Sequence, residues 1–357
     1  MSIAVNIMVK NARDSIIRAL DSIVAQVDEI VVLDTGSTDG TQQAVLDYFE
    51  RAPTGIVKTF REVAWVDDFS AIRNQMLDAT RSDWVFALDS DEVVTIAERT
   101  LRDLTSVGYH AFFIDKRSYL TGPVISGTAP CRGEYPELEA GFSCYSIEPN
   151  YLFFDKSAGL RYSRRIHETI EQSFAGRQIR SARLQHIFVH NYGRHETGEK
   201  DGRYRALLEK ALQDDPNDGL SLYYLGLYAE RDGRFDEAIA YCDRSAAHLP
   251  GYPPALQLKA HCLGRLGRHA DALQLLHELV RRHPAEESLW SKLFAATEAV
   301  DAALERLTGY CAEAEAGGHM TAALYEQMAE LLARLGKRVK ADLYRKRAKE
   351  MKKRATR

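Results

Sequence analysis

Long apolar runs are missing from this chain. Nowhere in its 357 residues does a window approach the roughly 20 apolar residues that cross a bilayer, so no transmembrane helix is expected. The opening stretch Met1 to Val9 is short, broken by Asn6 and followed by Lys10, which reads as a buried first strand and not as a signal peptide. Cysteine is scarce: Cys131, Cys144, Cys242, Cys262 and Cys311 are odd in number, scattered, and never in a CxxC or Cys/His spacing. A zinc or redox site is not indicated, and a reducing, cytoplasmic setting is the default expectation. Positive charge is also lacking over most of the chain. The net formal charge is −4, yet residues 337–357 carry eleven Lys or Arg against Asp342 and Glu350, which leaves the remainder at −13. That balance argues against nucleic acid. The basic end suits an anionic membrane surface, at the inner face of the membrane, or a phosphorylated acceptor; a solvated terminal helix is the simpler reading.

What is present is a composition 45% hydrophobic and 27% charged, that of a folded chain, at a length that suits two domains. From Ile3 to Asp115 short apolar runs alternate with segments of helical period, the pattern of parallel strands covered by crossover helices. The runs are Ile3 to Val9, Glu29 to Leu33, Ile56 to Phe60, Trp84 to Leu88 and Ala111 to Ile114. Ile16, Ile17, Leu20 and Ile23 mark one buried helix face between the first two. A polar turn, Asp34 to Thr41, leads into a helix carrying Ala44, Val45, Tyr48 and Phe49, with Ser37, Thr38 or Asp39 as the expected cap. From about Gly122 to Gly193 the pattern is irregular and suits a substrate-shaping region. After Gly202 the chain turns helical with a 34-residue repeat: Gly233 returns as Gly267, Ala238 as Ala272 and Pro250 as Pro284. That is the period of tetratricopeptide repeats. Two clear repeats and degenerate or capping helices are expected, holding an extended peptide, binding another subunit or self-associating, or simply supporting the first domain.

The chemistry concentrates where the apolar strand Trp84 to Leu88 runs into Asp89, Ser90, Asp91 and Glu92. In extended chain Asp89 and Asp91 project to one side and can approach a divalent cation. A diphosphate leaving group gathers negative charge as its bond to a sugar breaks, and Mg²⁺ or Mn²⁺ offsets that charge. Acidic pairs at strand ends are more often solvated turns. The carboxyl end of a parallel strand is, however, where open α/β sheets bind ligands. Asp34 stands at another such end, where its carboxylate can accept a uracil imide N–H; an ordinary turn aspartate is the alternative. Trp65, Asp68, Phe69, Ser70, Arg73 and Asn74 form a polar-aromatic patch at the start of a helix, with Arg73 suited to a nucleobase carbonyl or phosphate, or to a surface salt bridge.

With Val9-Lys10-Asn11, Val32 to Thr41, Asp68 to Asn74 and Leu88 to Glu92 in this order, the chain resembles the family 2 glycosyltransferases of the GT-A fold. The resemblance is strong over residues 1–120. It reaches weakly through Ile166-His167-Glu168 and Val189 to Gly193, and looks closest to the branch of the sublancin S-glycosyltransferase, which has helical repeats behind the catalytic domain. Acceptors in that branch include peptide cysteines, and it is also similar to lipopolysaccharide-core glucosyltransferases. The resemblance implies a Rossmann-like GT-A domain over 1–201 and an all-α repeat domain over 202–357. It implies a UDP-sugar donor, a Mg²⁺ or Mn²⁺ ion, inversion at the anomeric carbon, and a peptide, protein or glycan acceptor. Lys10, Asp34, Arg73, Asn74, Asp89 and Ser90 would contact the donor; Asp89 and Asp91 would hold the metal-diphosphate, with His167 or His190 completing the ligand set. Where the first motif commonly continues Asn-Glu, this chain has Asn11-Ala12.

An inverting displacement also needs a base beside the attacking atom, and Glu168 is the candidate; its other readings are a metal ligand or an idle helix-start residue. Of His186, His190 and His195, whose spacing is not that of a zinc helix once Gly193 is considered, His190 is expected on a strand facing the cleft. A scaffold whose nucleotide-sugar domain has lost activity is the competing interpretation.

Overall fold

The computed structural model describes residues 1–122, 128–192, 198–250, 252–284, 289, 292–293, 296 and 304–355. It divides into two compact units, Met1–Leu207 and Leu208–Arg357. The first is built on one mixed sheet. Strands β1 (Ile3–Val9), β2 (Glu29–Asp34), β3 (Val57–Glu62) and β4 (Trp84–Asp89) run parallel. They are joined through α1 (Ile16–Ile23), α2 (Thr41–Arg51) and α3 (Phe69–Ala79). The strand order β3-β2-β1-β4 continues with β8 (Cys144–Asp155), β6 (Ala111–Leu120), β9 (Ser181–Asn191) and β5 (Glu92–Ile96), and β7 (Thr128–Pro130) pairs with β8. Two short helices, α4 (Leu101–Leu104) and α5 (Pro136–Glu139), complete the unit. The alternation expected of strands between helices is that of an α/β domain, and this is what forms.

Side-chain alternation distributes the core over both faces. Ile3, Val5, Ile7 and Val9 of β1 join Ile30, Val32, Trp84 and Phe86 in packing against Ile16, Leu20, Val45 and Tyr48 of α1 and α2. The intervening residues Val31 and Leu33 meet Ile72 and Met76 of α3. The Trp84 and Phe153 rings meet at 4.8 Å, tilted by 35°, within the larger cluster. Two expectations need correction here. The stretch after Gly122 contributes two long strands, β8 and β9, because these alternate around polar residues and give no continuous apolar run. The N-cap position of the second helix is Gly40, at φ +92° and with no side chain to offer; of the expected caps, Asp39, one residue earlier, accepts from the Thr41 amide at 3.0 Å.

After α6 (Gly198–Asp214), the second unit consists of helical hairpins. Helices α7 (Gly219–Arg231) and α8 (Phe235–His248) recur, 34 residues on, as α9 (Pro253–Arg265) and α10 (His269–Arg282). Helices α11 (Leu304–Ala316), α12 (Ala322–Arg334) and α13 (Arg338–Ala355) follow. The repeated glycines make the turns: Gly233, Gly267 and Gly336 have φ of +77°, +76° and +74°, a region that side chains with a Cβ disfavour. Leu222, Leu225, Gly226 and Ala238 are buried, as are Ala260 and Ala272. Gly226 is small for a packing reason, since a Cβ there would meet Leu258 and Tyr241 at 3.4 Å. Gly264 is different: it lies inside α9 with nothing within 4 Å and no positive φ. Gly233→Ala should therefore lower unfolding stability by about 1–2 kcal/mol, and Gly264→Ala should raise it by up to about 1 kcal/mol. Urea denaturation of the two variants checks both signs.

Candidate active site

The parallel register sets the frame. Val9 is opposite Asp34 and Met8 opposite Asp89, so both aspartates finish their strands on either side of β1, with backbones roughly 10 Å apart. The loops after β1 and β2 are stitched together. Asn11, at φ +52°, accepts from the Thr38 amide at 2.8 Å, and its own amide donates to Ser37 Oγ at 2.8 Å. The Ala12 amide donates to Thr41 Oγ1 at 2.7 Å. Asp34 is fully buried; its Oδ1 accepts from the amides of Gly36 and Ser37, both at 2.7 Å. Its Oδ2 is buried with no hydrogen-bond partner. Lys10 is exposed at the mouth of the loop.

Helix α3 starts at Asp68, whose side chain accepts from the Ala71 amide, and it anchors the segment 162–169. The Phe69 amide donates to the Arg165 carbonyl at 2.8 Å. Asn74 spends both ends of its carboxamide on the Tyr162 main chain, at 2.9 Å each. Asn74, expected at the donor, is thus a clamp on the loop that carries Glu168. Arg73, only 7% exposed, ties three elements together: Nη2 pairs with Asp89 and Nε with Glu168 at 3.1 Å. Its Nη1 is buried without a partner. The Tyr162 hydroxyl is likewise buried and unpartnered, and that burial raises its pKa, with Arg73, Glu168, Asp89 and Lys116 acting as lesser influences.

Behind Asp89 lies a second cation that the sequence reading missed. Lys116 of β6 pairs with Glu92 at 2.5 Å and with Asp89 at 3.4 Å. Glu92 accepts from Asn191 at 3.3 Å and from the Asp89 amide at 2.9 Å. Burial, and then the charge of Asp89, raise the pKa of Glu92 against the pull of Lys116. For Asp89, burial raises the pKa, but Lys116 and Arg73 outweigh it and hold the carboxyl well below the usual range. Its side chain remains 37% exposed. Burial favours the neutral amine of Lys116, and Glu92 and Asp89 overcome that and keep it charged. A lysine within a largely buried strand was the available signal. Ser118, two residues along β6 and opposite Asn191, is buried with an unpartnered Oγ.

The expected DxD geometry differs from the extended pair. Strand β4 ends at Asp89, Ser90 and Asp91 form a turn, and β5 begins at Glu92, so Asp91 sits half-buried at a turn and the two carboxylates do not share a strand face. Among the described residues no group of three or more His, Cys, Asp or Glu side chains stands ready to hold a metal. His190 is on a strand as expected, but not toward these carboxylates. Glu92 and Asn191 are register partners on one face of β5 and β9, and Val93 and His190 take the other. There His190 is fully buried, with Nε2 on Thr95 and Nδ1 on Tyr119, both at 2.8 Å. Burial first, and then Arg117, lower its pKa to about 4. His167 is exposed, at φ +54°, beside Glu168. His186 lies on β9, and His195 lies outside the described residues.

A groove of about 400 Å³ lies in the repeat unit beside Asp243, Lys259, Arg268 and Glu278, and a hollow of about 280 Å³ lies by Arg132, Glu134 and Tyr145.

Comparison with known proteins agrees with the layout. Residues 4–104 match the glycosyl transferase family 2 model. Residues 207–240 and 229–297 match tetratricopeptide repeat models. A TPR repeat-containing protein of Synechococcus elongatus is 29% identical over 235 residues, 63% of this chain and 52% of the relative. The SPbeta prophage-derived glycosyltransferase SunS of Bacillus subtilis is 30% identical over 92 residues, 26% of this chain and 20% of that protein. The chain thus spans about half of the first relative and a fifth of the second. Among solved structures, S. aureus TarS has a TM-score of 0.41 at 14% identity, over 76% of this chain and 54% of that one. MamA from Desulfovibrio magneticus RS-1 has 0.34 at 18%, over 43% and 86%.

Two outcomes follow for the buried charges. Lys116→Met leaves Glu92 and Asp89 without their shared cation and should destabilise the fold by about 3–5 kcal/mol, and Lys116→Met with Glu92→Leu should cost much less than the two single changes together; urea titration of the cycle reads this. For His190 the folded pKa of about 4 lies below the unfolded value. The unfolded state then binds the extra proton, and stability falls as pH drops from about 6.5 toward 4, by up to roughly 1.4 kcal/mol per unit. His190→Gln should remove that slope, seen as the difference between the two proteins' urea midpoints at pH 7 and pH 5.

Proposed function

We propose that the chain, which carries a family 2 glycosyltransferase domain at its N-terminus and tetratricopeptide repeats behind it, transfers a hexose from a UDP-sugar to a peptide, protein or envelope-glycan acceptor. The observation that carries this reading is a pair of buried, unpartnered polar atoms at the carboxyl end of the sheet: the acceptor Asp34 Oδ2 and the donor Arg73 Nη1. Buried polar atoms in folded proteins are almost always hydrogen-bonded, so these two suit a ligand that offers one donor and one acceptor. A uracil imide N–H fits the first. A nucleobase carbonyl or a phosphate oxygen fits the second.

In this reading Asp89 and Asp91 would hold a Mg²⁺ or Mn²⁺ ion, which would offset charge on the departing diphosphate. The donor set fits: such ions commonly take one or two carboxylates and fill their remaining positions with phosphate oxygens and water, so a cage made wholly of protein is not required. Arg73 and Lys116 keep Asp89 ionised and in place. The fold already pairs Asp89 with two cations. His190 is left out of the ligand set because Thr95 and Tyr119 engage both its ring nitrogens. Lys10 and Ser90, at the rim, contact the donor phosphates.

Transfer then proceeds by a single displacement. The acceptor atom attacks the anomeric carbon opposite the diphosphate, the carbon–oxygen bond to the diphosphate breaks, and its electron pair leaves with the UDP. Glu168 takes the acceptor's proton after exchanging its pairing with Arg73 for the acceptor, and inversion results. The repeats supply the protein-binding surface, for the acceptor, for a partner or for a second copy. A repeat scaffold without activity is the second reading, favoured by the 29% identity to a relative named only for its TPR repeats.

The test is UDP release from a panel of UDP-sugars with and without Mn²⁺, together with binding of each donor. Metal-dependent release from one donor is expected, at least a hundredfold weaker in Asp91→Asn, with unfolding stability within about 1 kcal/mol of the parent. Absence of both release and donor binding overturns the transferase and leaves the scaffold.

A further inference from the structure

We propose that the outer face of α13 docks the protein on an anionic lipid bilayer. The inference rests on the second unit alone and stands independently of sugar transfer. Helix α13 has an inner side and an outer side. Ala341, Tyr344 and Ala348 are buried in the helical core with Leu331 and Leu332, and Tyr344 meets Tyr325 at 6.0 Å. The flanks are tethered, Arg347 to Glu315 at 2.6 Å and Lys352 to Glu326 at 2.8 Å. The opposite side carries Val339, 87% exposed, and Leu343, 49% exposed. These are helical neighbours at i and i+4, and the same line continues through Lys346 to the acidic Glu350, with Lys340 and Lys349 exposed beside it.

Charge complementarity selects the partner. The segment 337–357 is +9 on a chain whose remainder is −13, so an anionic surface repels the rest of the molecule and attracts this helix. The two outward apolar side chains decide which anionic surface. A polyanion such as RNA has no use for them, whereas a bilayer takes apolar side chains into its interface while lysines reach the headgroups. Among the described residues no helix is long and apolar enough to cross a membrane.

The test is co-sedimentation of the full chain with vesicles of phosphatidylcholine alone and of phosphatidylcholine with phosphatidylglycerol, and heparin as the soluble polyanion. Expected are binding to the vesicles that contain phosphatidylglycerol and not to those of phosphatidylcholine alone, and its release by salt. At about fivefold per lysine, a Lys340→Gln, Lys346→Gln, Lys349→Gln variant should partition roughly a hundredfold less. Val339→Ser with Leu343→Ser should weaken vesicle binding and leave heparin binding unchanged. All five positions are exposed, so the variants should unfold as the parent does, which circular dichroism verifies. No binding to the anionic vesicles, equal binding by either variant, or capture by heparin alone would overturn the proposal.

Discussion

Two buried cations allow three carboxylates to share one end of the sheet. Asp89, Glu92 and Glu168 would repel one another in a half-buried setting, and at least one would be driven neutral. Arg73 divides its guanidinium between Asp89 and Glu168, and Lys116 divides its ammonium between Asp89 and Glu92. The five residues come from α3, β4, β5, β6 and the segment after Leu160. No pair of elements makes this network alone, which couples the charge of the site to completion of the sheet.

Around that network the backbone is held in unusual conformations. Among the described residues, the non-glycine positions with positive φ are Asn11, Asp67, Arg164 and His167. Asn11 closes the β1 loop onto the β2 loop, Asp67 precedes the cap of α3, and Arg164 and His167 lie on either side of Ile166 in the segment that carries Glu168. Such conformations persist where surrounding contacts over-determine them, and they gather at functional sites. Here the contacts are visible: the Asn11–Thr38 and Asn74–Tyr162 hydrogen bonds fix both loops from outside. Asn74 thereby acts on position, while Arg73, one residue earlier on the same helix, acts on charge.

The helical unit obeys simpler rules. Its period survives as geometry because each hairpin needs the same left-handed glycine turn, at Gly233, Gly267 and Gly336, and the same small residue where helices cross. Between α10 and α11 the spacing no longer holds, yet Leu307, Leu324 and Met328 still join Leu276 and Val280 in one apolar cluster. Burial tolerates loss of period so long as apolar faces keep meeting.

The order of strands and helices through Trp84–Leu88, the switch to helical repeats, and the residues Arg73, Asp89 and Glu168, which the structure brings together, were legible in the sequence, because apolar periodicity, glycine turns and strand-end carboxylates are local signals. What lay beyond it was pairing. Lys116 became part of the site only when β6 came to lie beside β9, and thus near Glu92 on β5. His190 was turned from the carboxylates by strand parity, since one residue's shift in a strand reverses the face. Asn74 was claimed by a main chain 88 residues away. Local patterns specify elements and the chemistry available on them; contacts between distant strands, which no local pattern encodes, decided which of those groups meet.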